Sequence, residues 1–183
     1  PLRAVHFSVR DTVSTGRYRY TNWLGMEDRE GKLIVESVLE RAGIKHLADR
    51  NSASLSDGEY HRVAIARALV LNPDLLVMDQ PFGALDAITR KKLSSDFLRI
   101  FEQTQKTIII ITNSIDEALL FSNRIYIFSD APGTIQEVVD VDVPYSLRHQ
   151  EITTNERFTA LRARMIEIIK KQYANNAVLE GEA

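Results

Sequence analysis

Three short runs of this chain carry residue types that could do chemistry. The first is Ser56, Asp57, Gly58, Glu59, placed just before a helical pattern of apolar residues at Val63, Ile65, Ala66, Ala68 and Leu69. A helix start offers unpaired N–H groups and a partial positive charge, so this run could hold an anion. Ser56 or Asp57 could equally serve as an ordinary helix cap. The second run is Leu75, Leu76, Val77, Met78, an unbroken apolar segment that ends in Asp79 and Gln80, with Asp86 six residues further on. The third is Ile108 to Ile111, which ends in Thr112, Asn113 and Ser114.

The elements that must position these residues follow from periodicity. Residues 1 to 25 read as irregular and aromatic. Ile34, Val35, Val38, Leu39 and Ala42 recur at helical spacing from Glu27 to Ala42, and Gly43 is placed as a stop. The helix beginning at Ser56 closes at Asn72 and Pro73. Leu75 to Met78 lacks polar alternation, as a parallel strand covered on both faces does. Asp86 caps a helix to about Glu102, Ile108 to Ile111 forms a second strand, Asp116 to Phe121 a short helix and Ile125 to Phe128 a third strand. This order predicts an α/β fold with a parallel sheet. Ile135 to Val143 adds an antiparallel edge strand. Pro144 to Gln150 reads as a connector, and Thr153 with Glu156 as the capping box of a helix that ends near Lys170 and Lys171, after which the last ten residues fray.

Composition narrows the function classes. The chain has 183 residues and is 44% hydrophobic, enough for one packed domain. Its net charge of −2 gives no basic field for nucleic acid. Cysteine is absent, which removes disulfides, thiolate metal sites and cysteine nucleophiles, and fits a reducing cytoplasm. His6, His46, His61 and His149 lack metal-ligand spacing. No apolar stretch approaches the roughly 20 residues that span a bilayer, so a membrane role would run through a partner. Pro1 to Val5 contain no initiator Met and no targeting pattern, which reads as a fragment beginning mid-chain.

The run Leu55 to Leu69 resembles the signature segment of the ATP-binding-cassette (ABC) family, an LSGGQ motif followed by a helix of the QRVAIARAL type. Leu75 to Asp86 resembles its Walker B strand and D-loop at the family's spacing, and Ile108 to Leu119 resembles its switch-loop segment. The order of the three matches makes the resemblance specific over most of residues 5 to 145. It implies a P-loop NTPase-like α/β fold with a helical subdomain, incomplete because the Walker A part is absent. The implied division is a helical signature subdomain at 1–72, the Walker B, D-loop and switch-loop part at 73–143, and a helical tail at 144–183.

The resemblance also implies ATP and Mg²⁺ as cofactors. Ser56, Asp57, Gly58, Glu59 and Asp86 would then meet a nucleotide bound mainly by a second subunit. Asp79 would hold the metal through water, and Gln80 and Asn113 would stand at catalytic positions. Four departures qualify this. GxxxxGK[ST] occurs nowhere in these residues, so they include neither its backbone cradle nor its phosphate-binding lysine. Gln80 stands where the family has a glutamate that polarises water, and an amide cannot take a proton. Asn113 replaces a histidine that contacts the γ-phosphate. Asp57 replaces a glycine and sets a carboxylate near phosphate, where one charge pair at ~5 Å and an effective dielectric of ~20 costs about 3 kcal/mol. Together these predict weak or absent hydrolysis, and they read as natural degeneration or the weak site of a heterodimer, with an engineered trap as the alternative.

Gly16 to Tyr20, with Trp23, Leu24 and Gly25, resembles iron-chelate importers, whereas Asp116 to Val143 and the tail resemble nitrate, sulfonate or taurine importers. Tyr18, Tyr20 and Trp23 are candidates for a surface that receives an integral-membrane permease, or for packing within the subdomain. The resemblance therefore implies a transporter ATPase, peripheral on the cytoplasmic face of the cell membrane, working as a homo- or heterodimer. The alternative is a non-catalytic regulatory or soluble cassette protein that acts through partner binding.

Overall fold

The computed structural model describes residues 7–20, 28–83, 85–129, 132–148 and 155–181, with side chains in the last segment described to residue 171. The chain divides into two units, 1–109 and 110–183.

The first unit begins with a short helix, α1 (Val9–Ser14), and a 3-10 turn, Thr15–Tyr20. Residues 7–20 are thus regular where the sequence predicts irregular chain. Ser8 explains the difference, since its side chain and Asp11 form a reciprocal capping box that starts α1. Helix α2 (Arg29–Arg41) is capped by Asp28, whose carboxylate accepts from the Gly31 N–H at 2.7 Å. It ends before Gly43, which sits at φ +66°, the left-handed conformation that glycine adopts without a Cβ penalty.

Helix α3 (Asp57–Leu69) follows Ser56, strand β1 (Leu75–Asp79) follows a turn at Val70 and Leu71, and helix α4 (Ala87–Thr104) follows Asp86. Strand β2 (Thr107–Ile111) pairs with β1 as a two-stranded parallel sheet, entered by the Thr107 N–H donating to the Asp74 carbonyl at 3.2 Å. The core gathers Val13, Leu39, Ile44, Val63, Phe82 and Phe97. Phe82 and Phe97 meet edge to face at 4.9 Å. Gly16 lies so close to α3 that a Cβ there would stand 2.2 Å from the Arg67 carbonyl oxygen.

Coverage of β1 differs from expectation. Leu76 and Met78 are buried, but Leu75 and Val77 are 50% and 55% exposed. The apolar run promises a strand covered twice, yet among the described residues one face stays open.

The second unit holds α5 (Ile115–Phe121), β3 (Arg124–Phe128), β4 (Ile135–Asp140) and α6 (Glu156–Gly181). β3 is not a third strand of the parallel sheet. It pairs antiparallel with β4 in a separate sheet, with Tyr126 opposite Val138 and an irregularity at Ile127/Phe128. The antiparallel pairing is closed by the Ser129 N–H, which donates to the Thr134 carbonyl at 2.8 Å. Ile125, Ile127 and Val139 form one core with Leu119, Phe158 and Met165. Asn155 rather than the predicted Thr153 caps α6, its side chain accepting from the N–H groups of Arg157 and Phe158, while Thr153 lies outside the described residues. α6 runs past Lys170 and Lys171 because no glycine or proline intervenes before Gly181.

The connector contains the largest surprise. Arg148 is 3% exposed, and its guanidinium donates to four carbonyls, those of Val143 (2.7 Å), Ser122 (2.8 Å), Leu120 (3.2 Å) and Val141 (3.4 Å). It lies 4.3 Å from the Tyr145 ring centroid, and the Tyr145 hydroxyl donates to the Phe121 carbonyl. Burial pulls the Arg148 pKa below the ordinary arginine value. The α5 C-terminus, with its orphan carbonyls, is thereby capped from 24 to 28 residues downstream.

Candidate functional site

Ser56 is extended, at φ −68° and ψ 160°, and begins α3 through a capping box. Its Oγ accepts from the Glu59 N–H at 3.4 Å, while its N–H and hydroxyl donate to Glu59 Oε2 at 2.8 and 3.0 Å. The other Glu59 oxygen accepts from Arg50 Nη1 at 3.3 Å, and Arg50 also donates to the Ser54 carbonyl at 2.7 Å. Hydrogen bonds from Ser56 hold the Glu59 carboxyl below its ordinary pKa, with the Arg50 charge adding to the effect. Asp57 is exposed on the first turn, and its carbonyl accepts from the His61 Nδ1–H at 2.7 Å. The helix start thus presents two carboxylates, one of them folded onto Ser56.

Gly58 is where α3 meets α4. A Cβ added there would stand 3.2 Å from Thr89 Cγ2 and 3.5 Å from Leu93 Cδ1. The structure therefore brings the Ser56 segment against the first turn of the helix that Asp86 begins. One Asp86 oxygen accepts from the Ile88 and Thr89 N–H groups at 3.0 Å each, and hydrogen bonds from Thr89 lower its pKa. Asp86 acts here as a helix cap.

Asp79 is exposed at the end of β1. An open carboxylate at a strand end fits a hydrated Mg²⁺, which would supply charge neutralisation at phosphate oxygens. Gln80, also exposed, adopts φ +43°. For a non-glycine residue this left-handed conformation costs on the order of 1 kcal/mol or more. Asn72 and Gln105, the other left-handed non-glycines among the described residues, follow helices; Gln80 follows a strand. Its carbonyl accepts from the Gly83 N–H at 3.1 Å, and its Oε1 would lie 3.4 Å from a Cβ at Gly83, so its amide arches over the next turn.

Asn113 belongs to the second unit, exposed in the bend between β2 and α5. Thr112 Oγ1 donates to Glu117 Oε2 at 2.6 Å and accepts from the Ser114 N–H at 3.1 Å. Ser114 Oγ accepts from the Glu117 N–H at 3.3 Å. Arg50, Thr112 and Glu117 carry no predicted role. Arg50 sits outside the signature spacing, and the hydroxyl–carboxylate bond between Thr112 and Glu117 leaves no distinctive sequence mark. Of the aromatic candidates, Tyr18 and Tyr20 are 75% and 54% exposed, and Trp23 lies outside the described residues.

With this geometry the comparisons agree in class. Residues 5–83 match the family model described as ABC transporter. The chain is 40% identical over 149 residues to the bicarbonate transport ATP-binding protein CmpC of Synechocystis sp., covering 81% of this chain and 22% of that protein. It is 34% identical over 148 residues to the nitrate import ATP-binding protein NrtD of Synechococcus elongatus, covering 80% of this chain and 54% of that protein. Among solved structures it is similar to CbiO1 of Clostridium perfringens, part of the ABC transporter complex CbiONQ, with a TM-score of 0.63, 25% identity, and coverage of 89% of this chain and 62% of that one. The chain belongs to the ABC transporter family, and its relatives include a bicarbonate transport ATP-binding protein and a nitrate import ATP-binding protein. It spans about a fifth of CmpC and about half of NrtD.

Proposed function

We propose that the chain is part of an ATP-binding subunit that drives solute import through an integral-membrane permease, working in a dimer with a second ATPase subunit. The single observation that carries this reading is the order of the signature helix start, the strand ending in Asp79, and Gln80 held left-handed at its end. Ser56, Asp57, Gly58, Glu59 and Asp86 serve as the surface that meets ATP held mainly by the partner, and Asp79 as the Mg²⁺ ligand through water. The names of the relatives favour a small oxyanion as cargo. A helix that would cross a membrane is absent among the described residues, in keeping with a peripheral subunit on the cytoplasmic face.

The same residues favour weak or absent hydrolysis, and hence a second reading as a non-catalytic, regulatory member of the assembly. Gln80 can orient water without accepting its proton, Asn113 brings no cation, and the Asp57 and Glu59 carboxylates crowd the place where a phosphate would sit. These residues lack GxxxxGK[ST], so the nucleotide cradle would come from elsewhere in the assembly. The experiment is purification of the native assembly. Co-purification of a polytopic membrane protein supports the transporter reading, and its absence contradicts it. In that assembly Gln80→Glu with Asn113→His raises ATP turnover if these positions limit hydrolysis; unchanged turnover overturns the catalytic assignment of both.

A further inference from the structure

Among the described residues, Glu117 is the only buried acidic side chain, at 6% exposure, and the proposed chemistry makes no use of it. Its surroundings give it a purpose. A buried carboxylate is costly unless hydrogen-bonded, and one Glu117 oxygen accepts from the Thr112 hydroxyl at 2.6 Å. That hydroxyl has a single proton, so donating it to Glu117 turns its lone pairs to other donors, and the Ser114 N–H takes one at 3.1 Å. Ser114 in turn accepts from the Glu117 N–H. The bonds close a ring around one residue. Thr112 and Ser114 are drawn inward and half-buried, and Asn113 between them is left exposed.

We propose that Glu117 is a positioning residue, which fixes the Thr112–Ser114 bend through the Thr112 hydroxyl and so sets the direction in which Asn113 is presented to the terminal phosphate of a nucleoside triphosphate. The inference rests on the proposed role of Asn113 at a nucleotide. Glu117→Gln keeps the device, since an amide oxygen accepts from a hydroxyl as a carboxylate does. Glu117→Ala dismantles it. Thr112→Val, which leaves the volume nearly unchanged, removes the hydroxyl without opening a cavity.

Two measurements test this. In the chain itself, amide hydrogen exchange at Ser114 accelerates about tenfold in Glu117→Ala and in Thr112→Val, while Glu117→Gln stays near the native rate and the β3–β4 amides are unchanged. An unchanged Ser114 rate in Thr112→Val overturns the inference, including when Glu117→Ala loosens the whole unit. In the native assembly, Glu117→Ala lowers the preference for ATP over ADP by about tenfold with ADP affinity unchanged, and Glu117→Gln restores it. A merely structural role would shift both nucleotides together and contradict the proposal. If Asn113→Ala also leaves the preference intact, the nucleotide role of Asn113 fails instead, and the exchange data alone decide what Glu117 does.

Discussion

Replacing Arg148 with methionine keeps most of the side-chain volume and removes every guanidinium donor. Four carbonyls lose a charged partner, two of them at 2.7 and 2.8 Å and two at 3.2 and 3.4 Å. A hydrogen bond to a charged group contributes about 1.5–3 kcal/mol, but the long bonds count for less and the four share one cation. Against them stands the desolvation that lowers the Arg148 pKa, a cost that methionine avoids. The balance is a loss of about 3 kcal/mol for Arg148→Met, with Arg148→Lys losing roughly half because an ammonium reaches fewer carbonyls. Urea unfolding of the chain, followed through amides of α5 and β4, measures both. A loss under about 1 kcal/mol in Arg148→Met would show that water replaces the guanidinium and would refute the capping argument.

Gly16→Ala places a methyl 2.2 Å from the Arg67 carbonyl oxygen and 2.7 Å from Val70 Cγ1, so the first unit loses about 2 kcal/mol or more in denaturant titration, and α1 exchanges faster. The Glu59 carboxyl, lowered by Ser56, stabilises the native state fully above the ordinary glutamate range, and that stability is lost as pH falls through the depressed folded value. Carboxyl NMR titration of Ser56→Ala returns Glu59 only part of the way toward its ordinary pKa, because the larger contribution, from the Ser56 backbone N–H, survives; an unmoved value contradicts a contribution from the hydroxyl. Asp57→Gly raises the affinity of the assembled dimer for ATP, by up to about 100-fold before screening by salt, as measured by calorimetry at low ionic strength.

The sequence is most legible where local rules act alone. Gly43 ends α2, Asp86 caps α4, and Ser56 opens α3, each from one or two side chains and neighbouring backbone. Motif order also places Asp79 at the end of a strand and Gln80 just beyond it, where the structure has them. Long-range partners were hidden. The hydrogen bonds of Arg148 go to carbonyls, which every residue possesses, so its arginine reads as a polar connector residue. Arg50 reaches Glu59 across a loop, and nothing in the loop composition marks the pair. The open face of β1 has another lesson: an apolar run reports what a strand can bury, and Leu75 and Val77 show that it does not report what is present to cover it.

The most direct test of the central claim is photolabelling with an ATP analogue that carries a reactive group on its γ-phosphate, applied to the native assembly and to this chain alone, with the label located by mass spectrometry. The expected result is label within residues 55–62 of this chain in the assembly, dependent on Mg²⁺ and lost with excess ATP, and none on the chain by itself. Label absent from that segment in an assembly that binds ATP would contradict a signature surface that meets the nucleotide of its partner.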